Sequence, residues 1–131
     1  MIEKRLSQDG RRLTTQAEQL RGRTKQFAIH VVRMIRTLPK NDEARIIGRQ
    51  LLRCSTSVAA NYRAACRARS KAEFVSKVSI VVEEADETVF WLEMLGDLGI
   101  MNPEKLRIPM SEANELLEIF AASQRTAKYG R

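Results

Sequence analysis

Across residues 42–69, apolar or small side chains return at steps of three and four: Ala44, Ile47, Leu51, Ser55, Val58, Tyr62 and Ala65. Steps of that kind hold one face of an α-helix in register at 3.6 residues per turn, whereas a half-buried strand would alternate every second residue. The face needs a covering element. Its small residues let a neighbouring helix come close, so the segment reads as a central helix of a helix-on-helix fold.

The same period recurs on either side. Phe27, Ala28, Val31, Val32, Ile35 and Leu38 form the stripe of a first helix over about 21–38, ended by Pro39. Asn41 reads as the N-cap of the helix over about 42–69, with Asp42 and Glu43 set against the positive end of its dipole. Ser70-Lys71-Ala72-Glu73 has the form of a capping box and opens a third helix over about 71–98. The stripe of this helix, Phe74, Val78, Val81, Ala85, Val89, Leu92 and Leu95, runs towards Gly99, a residue suited to the left-handed conformation that closes a helix. Asn102-Pro103 and Pro109 read as a loop with one short turn. Ser111 then reads as the cap of a last helix over about 111–125, carrying Ala113, Leu116, Leu117, Phe120 and Ala121. Residues 1–20 read as a flexible basic arm or a frayed extension of the first helix, and 125–131 as a loose basic tail. The expected fold is all-α, an up-and-down (antiparallel) four-helix bundle over residues 21–124, and 131 residues suit one domain.

No run approaches the roughly 18 apolar residues of a membrane-spanning helix, and MIEKRLSQDGRR lacks the apolar stretch of a signal peptide, so a cytoplasmic protein with no membrane partner is expected. Cys54 and Cys66 fall on one helix, about 18 Å apart at 1.5 Å per residue, too far to bridge each other. Both read as small buried thiols.

Charge is uneven. The net +7 of the chain divides into +7 over residues 1–40, +4 over 41–69, −5 over 70–98 and +1 over 99–131. Two groups of cations are candidates for contact with nucleic-acid phosphates: Arg11, Arg12, Arg21, Arg23 and Lys25 near the N-terminus, and Arg45, Arg49 and Arg53, spaced i, i+4, i+8 on one helical face. Arginine pairs with carboxylates as readily as with phosphates. Arg63 and Arg67 are therefore set beside Glu84 and Glu87 as candidate ion pairs between helices or between subunits.

Catalytic chemistry finds little purchase. Glu83 and Glu87 stand one turn apart, a spacing used in di-metal bundles, but such sites also need Glu-x-x-His pairs, and at that offset the single histidine, His30, is preceded by Phe27. No G-x-S-x-G nucleophile pattern and no phosphate-binding glycine loop occurs. No catalytic residue, metal or cofactor is expected. An enzyme would require a pocket that brings His30 to a carboxylate. Aromatic residues, 5% of the chain, are too sparse for the stacking platform of a single-strand binder.

The stretch S-T-S-V-A-A-N-Y-R-A-A-C-R-A-R-S-K-A-E-F, residues 55–74, resembles the family of proteins encoded in bacterial 23S ribosomal RNA intervening sequences, on Ser57, Asn61, Ser70, Glu73 and Phe74. E-A-D-E-T-V-F-W-L-E-M-L, residues 84–95, resembles the Glu-Ala-Asp-Glu…Trp-Leu-Glu segment of one branch, and with Arg23 to Pro39 the resemblance covers about residues 21–122. It implies a four-helix bundle that assembles into a homopentamer, with a basic surface in some members. A relative, the accessory variability protein of diversity-generating retroelements, binds a reverse transcriptase and nucleic acid. Glu83-Glu84 stands where many relatives carry Gly-Ser, which places this chain in a different branch. Two roles stay open: an RNA- or DNA-associated homo-oligomer, and a scaffold that binds a partner protein.

Overall fold

The structure, a computed structural model, describes residues 15–130. Four helices follow in order: α1 Gln16–Ile35, α2 Asp42–Cys66, α3 Lys71–Asp97 and α4 Pro103–Tyr129. Each packs on the next, and α4 returns to α1 over a narrower seam, which is the up-and-down arrangement. The described residues contain no strand.

Local chemistry sets the ends. Asn41 and Ser70 accept hydrogen bonds from the amides of Ala44 and Glu73 and so begin α2 and α3. At the other end of α3, Gly99 takes φ +67, Ile100 donates its amide to Leu95 and Gly99 to Gly96, which together form a Schellman cap. The seven α2 residues named above are all buried, as are Val78, Val81, Ala85, Val89, Leu92 and Leu95 of α3. The core centres on Leu51, Leu92, Leu95, Leu116 and Phe120, with the rings of Tyr62 and Phe120 at 4.9 Å. The buried hydroxyls of Thr24, Ser55 and Thr88 donate to the carbonyls of Arg21, Leu51 and Glu84 on their own helices, so close packing leaves none of them unsatisfied.

Several boundaries differ from the sequence reading. α1 starts at Gln16 because Thr15 and Glu18 form a reciprocal capping box, so residues 16–20 belong to the bundle; residues 1–14 of the expected arm lie outside the described residues. α1 and α2 each stop three residues short of the expected ends, at Ile35 and Cys66. α4 starts at Pro103, eight residues before Ser111. Asn102 caps the amide of Glu104, and Pro103 occupies the first turn, where its missing N–H costs nothing. Pro109 then lies inside the helix. It withholds a bond from the carbonyl of Lys105, an exposed residue that water can serve, while Leu106 and Pro109 themselves are buried. α4 also runs on to Tyr129, so most of the stretch expected as a loose tail is helical.

Candidate nucleic-acid interface

Residues eighteen apart on an α-helix are five full turns apart and share a direction. Arg45 and Arg63, and likewise Arg49 and Arg67, have that spacing, so all four stand on one side of α2, about 27 Å separating the two pairs at 1.5 Å per residue. Between them the same side carries Thr56, Ala59 and Ala60, short side chains that leave a depression against α1. Across it α1 contributes Arg21, Lys25, Arg33 and Arg36. The result is a groove of about 1030 Å³ with a floor of Ala28, Ala59 and Ala60, apolar flanks of Ile29 and Val32, and a cationic rim.

Among the described residues the rim carries six cations, Arg21, Lys25, Arg33, Arg36, Arg63 and Arg67. Arg21 is half-buried and the others are exposed. No Asp or Glu among the described residues pairs with any of them. Glu18, the one acidic residue lining the groove among the described residues, is engaged in the cap of α1. At the α1–α2 turn, Arg36 is shared with a second hollow of about 360 Å³ that adds Lys40, Arg45 and Arg49, extending the basic face.

The structure thus redistributes the cations singled out from sequence. Arg21 and Lys25 are on the groove rim, and Arg45 and Arg49 mark its far end, Arg45 also touching Asp42 at 3.0 Å. Arg23 points to the opposite side of α1, where it forks onto Glu112 with two bonds of 2.7 Å and reaches Glu115 at 2.9 Å. The hydrogen bonds that Arg23 donates to both carboxylates raise its guanidinium above the ordinary arginine range, and the Glu112 carboxyl is in turn held below the usual range. Arg53 is also committed, to Glu84 at 3.1 Å and to Glu87. The within-chain partner of Glu84 and Glu87 is therefore Arg53, while Arg63 and Arg67 lie two and a half turns or more further along α2, beside α1. Arg11 and Arg12 lie outside the described residues.

Arg33 and Arg36 were missed by sequence reasoning. The available signal was their i, i+3 spacing on a helix whose apolar stripe faces elsewhere, but nothing in α1 alone shows that α2 supplies the opposite wall.

His30 is exposed on α1 and shares a hollow of about 360 Å³ on the α1–α4 seam with Ser111 and Glu112. Both Glu112 oxygens accept from Arg23, which leaves that carboxylate occupied as a salt-bridge partner rather than poised to orient a base. Among the described residues no group of three or more His, Cys, Asp or Glu side chains is placed to hold a metal, and no helix is long and apolar enough to cross a membrane.

A sequence model described as 23S rRNA-intervening sequence protein matches residues 18–122. The chain is similar to a crystal structure of a protein of unknown function from the S23 ribosomal protein family of Bacteroides thetaiotaomicron, with TM-score 0.76 and 28% identity over 82% of this chain and 99% of that one. No curated protein matches it.

Proposed function

Since the chain belongs to the 23S rRNA-intervening sequence protein family, we propose that it is a non-enzymatic, RNA- or DNA-associated protein that works through the basic face of α1 and α2. The observation that carries this reading is the set of six cations, none paired with a carboxylate among the described residues, converging on one groove. Cations without internal partners retain their charge for an external polyanion, and releasing counterions from its phosphates drives binding. Arg45 and Arg49 extend the contact, Arg11 and Arg12 add to it from the N-terminal segment, and Arg23 and Arg53 are spent on internal carboxylates. Fluorescence anisotropy on a structured RNA and a duplex DNA tests it. Six phosphate contacts give a log–log salt slope of about −5 and a loss of affinity of about 10³ between 50 and 200 mM salt. Absence of binding to both at low salt refutes the reading.

A second reading, a homo-oligomeric scaffold, is favoured by the outer face of α3. Glu83, Asp86, Glu93 and Asp97 recur there at steps of three, seven and four around Phe90, which is 48% exposed, and none of the four pairs with a cation among the described residues. That acidic stripe complements the Arg45 and Arg49 end of α2 on another copy. Arg49→Glu then dissociates the assembly and a second change, Glu93→Arg, restores it; an unchanged mass by light scattering in Arg49→Glu rejects this arrangement.

A further inference from the structure

Building on nucleic-acid association as proposed above, we infer that the groove straddles the two phosphate ridges of a duplex. The inference rests on where the cations are absent. Arg21 and Lys25 of α1 stand with Arg63 and Arg67 of α2 at one end of the groove, and Arg33 and Arg36 stand at the other, continued by Arg49. The two clusters are roughly 17 Å apart measured along α1 and roughly 24 Å along α2, at 1.5 Å per residue. The saddle between them, floored by Ala28, Ala59 and Ala60, carries no charged side chain among the described residues.

A single strand laid along this path would place its middle phosphates over alanines, with no cation to meet them. Its bases would also find no stacking platform, because among the described residues no aromatic side chain lines the groove, and single-strand binders rely on such stacking. Among the described residues the saddle also presents no free donor to a base edge, since the proton of its Thr56 hydroxyl is directed to the carbonyls of Leu52 and Arg53. A duplex presents phosphates differently, as two ridges on either side of a groove about 12 Å wide for the B-form major groove. Flexible guanidinium groups reaching inward from the two ends meet one ridge each, and the low, uncharged saddle faces the groove between. Recognition of this kind is independent of base sequence.

RNA and DNA duplexes both present paired phosphate ridges, but at different spacings, since the A-form major groove is narrow and its minor groove wide, and the test separates these sources. At about 3.4 Å per pair of B-form duplex the site spans about seven pairs, so the probes are an RNA hairpin with a stem of about 16 pairs, a DNA duplex of the same sequence, and an unstructured single strand of the same length. Binding of the full chain is followed by anisotropy over a salt series. The RNA hairpin is expected to bind at least ten-fold more tightly than the single strand. Comparable binding of the DNA duplex supports contact with ridges common to both helices; weaker binding of DNA supports contact with the A-form ridges.

Two double variants probe the ends separately, Arg63→Gln with Arg67→Gln, and Arg33→Gln with Arg36→Gln. All four side chains are exposed, and circular dichroism checks that each variant is folded. Each is expected to lower the magnitude of the duplex salt slope by nearly 2, at about 0.9 per contact. Single-strand binding as tight as duplex binding, or a duplex slope that responds to one cluster alone, overturns the straddling geometry and leaves nucleic-acid association standing. Failure to bind any probe overturns both.

Discussion

Two glycines test the helix assignments with one substitution of opposite sign. Gly99 closes α3 at φ +67, in the left-handed region, whereas Gly22 lies within α1 on an exposed site where, apart from its own helix backbone, a Cβ would meet no atom of the described residues within 4 Å. At Gly99 an added Cβ costs about 1–2 kcal/mol through its clash with the following carbonyl. At Gly22 alanine gains about 1 kcal/mol, because glycine inside a helix forfeits that much in backbone entropy. An unfolding entropy of about 2.1 cal/mol/K per residue over 131 residues amounts to about 0.27 kcal/mol/K. Gly99→Ala should therefore lower Tm by roughly 4–7 °C and Gly22→Ala raise it by roughly 3–4 °C. Thermal melts followed by circular dichroism, with denaturant titrations as a second measure, read both shifts. A neutral or stabilising Gly99→Ala would refute the Schellman cap between α3 and α4, and a destabilising Gly22→Ala would refute an unobstructed helix at that point of α1.

The Arg23 clamp gives a pH dependence with a defined sign. Because the Glu112 carboxyl is held below its ordinary value in the folded chain, the pair contributes in full above the usual carboxylate range, near 4.3, and is lost as pH falls below it. Arg23→Gln should cost about 1 kcal/mol at pH 7 and progressively less as pH falls through the lowered Glu112 range, read from urea titrations over a pH series; a cost independent of pH would reject the pairing. Phe120→Ala removes a ring that is 0% exposed and packed on Tyr62, and should cost about 3–5 kcal/mol by the same titration. Cys54 is fully buried, and burial pushes its thiol up, whereas Cys66 is half-buried. Under native conditions a maleimide should modify Cys66 well before Cys54, as mass spectrometry of the peptides will show.

The legible part of the fold was periodic. An apolar stripe at steps of three and four has one satisfactory solution, a helix with that side inward, and every inward residue named for α2 is buried. Caps were readable where one side chain serves an amide three residues on, as at Asn41 and Ser70. They were misread where a proline intervened. Pro109 suggests a break, and only the burial of Leu106 and Pro109 against the rest of the bundle makes the longer α4 the better structure. The capping box at Thr15 was present as T-x-x-E but sat in a stretch taken for an arm.

For the candidate site the division is sharper. Net charge and its segmental imbalance are properties of the chain, and they placed the basic surplus on the first two helices without reference to coordinates. Which of those cations remain available is a property of the packing. Arg23 and Arg53 look no different in sequence from Arg33 and Arg63, yet two are held by carboxylates 89 and 31 residues away while the other two line an open groove. An ion pair depends on which side chains lie within a few ångströms, and that distance is set by how α1 meets α4 and how α2 meets α3. Sequence by itself determined four helices, their inward faces and the sign of the charge; the tertiary structure decided where that charge is free.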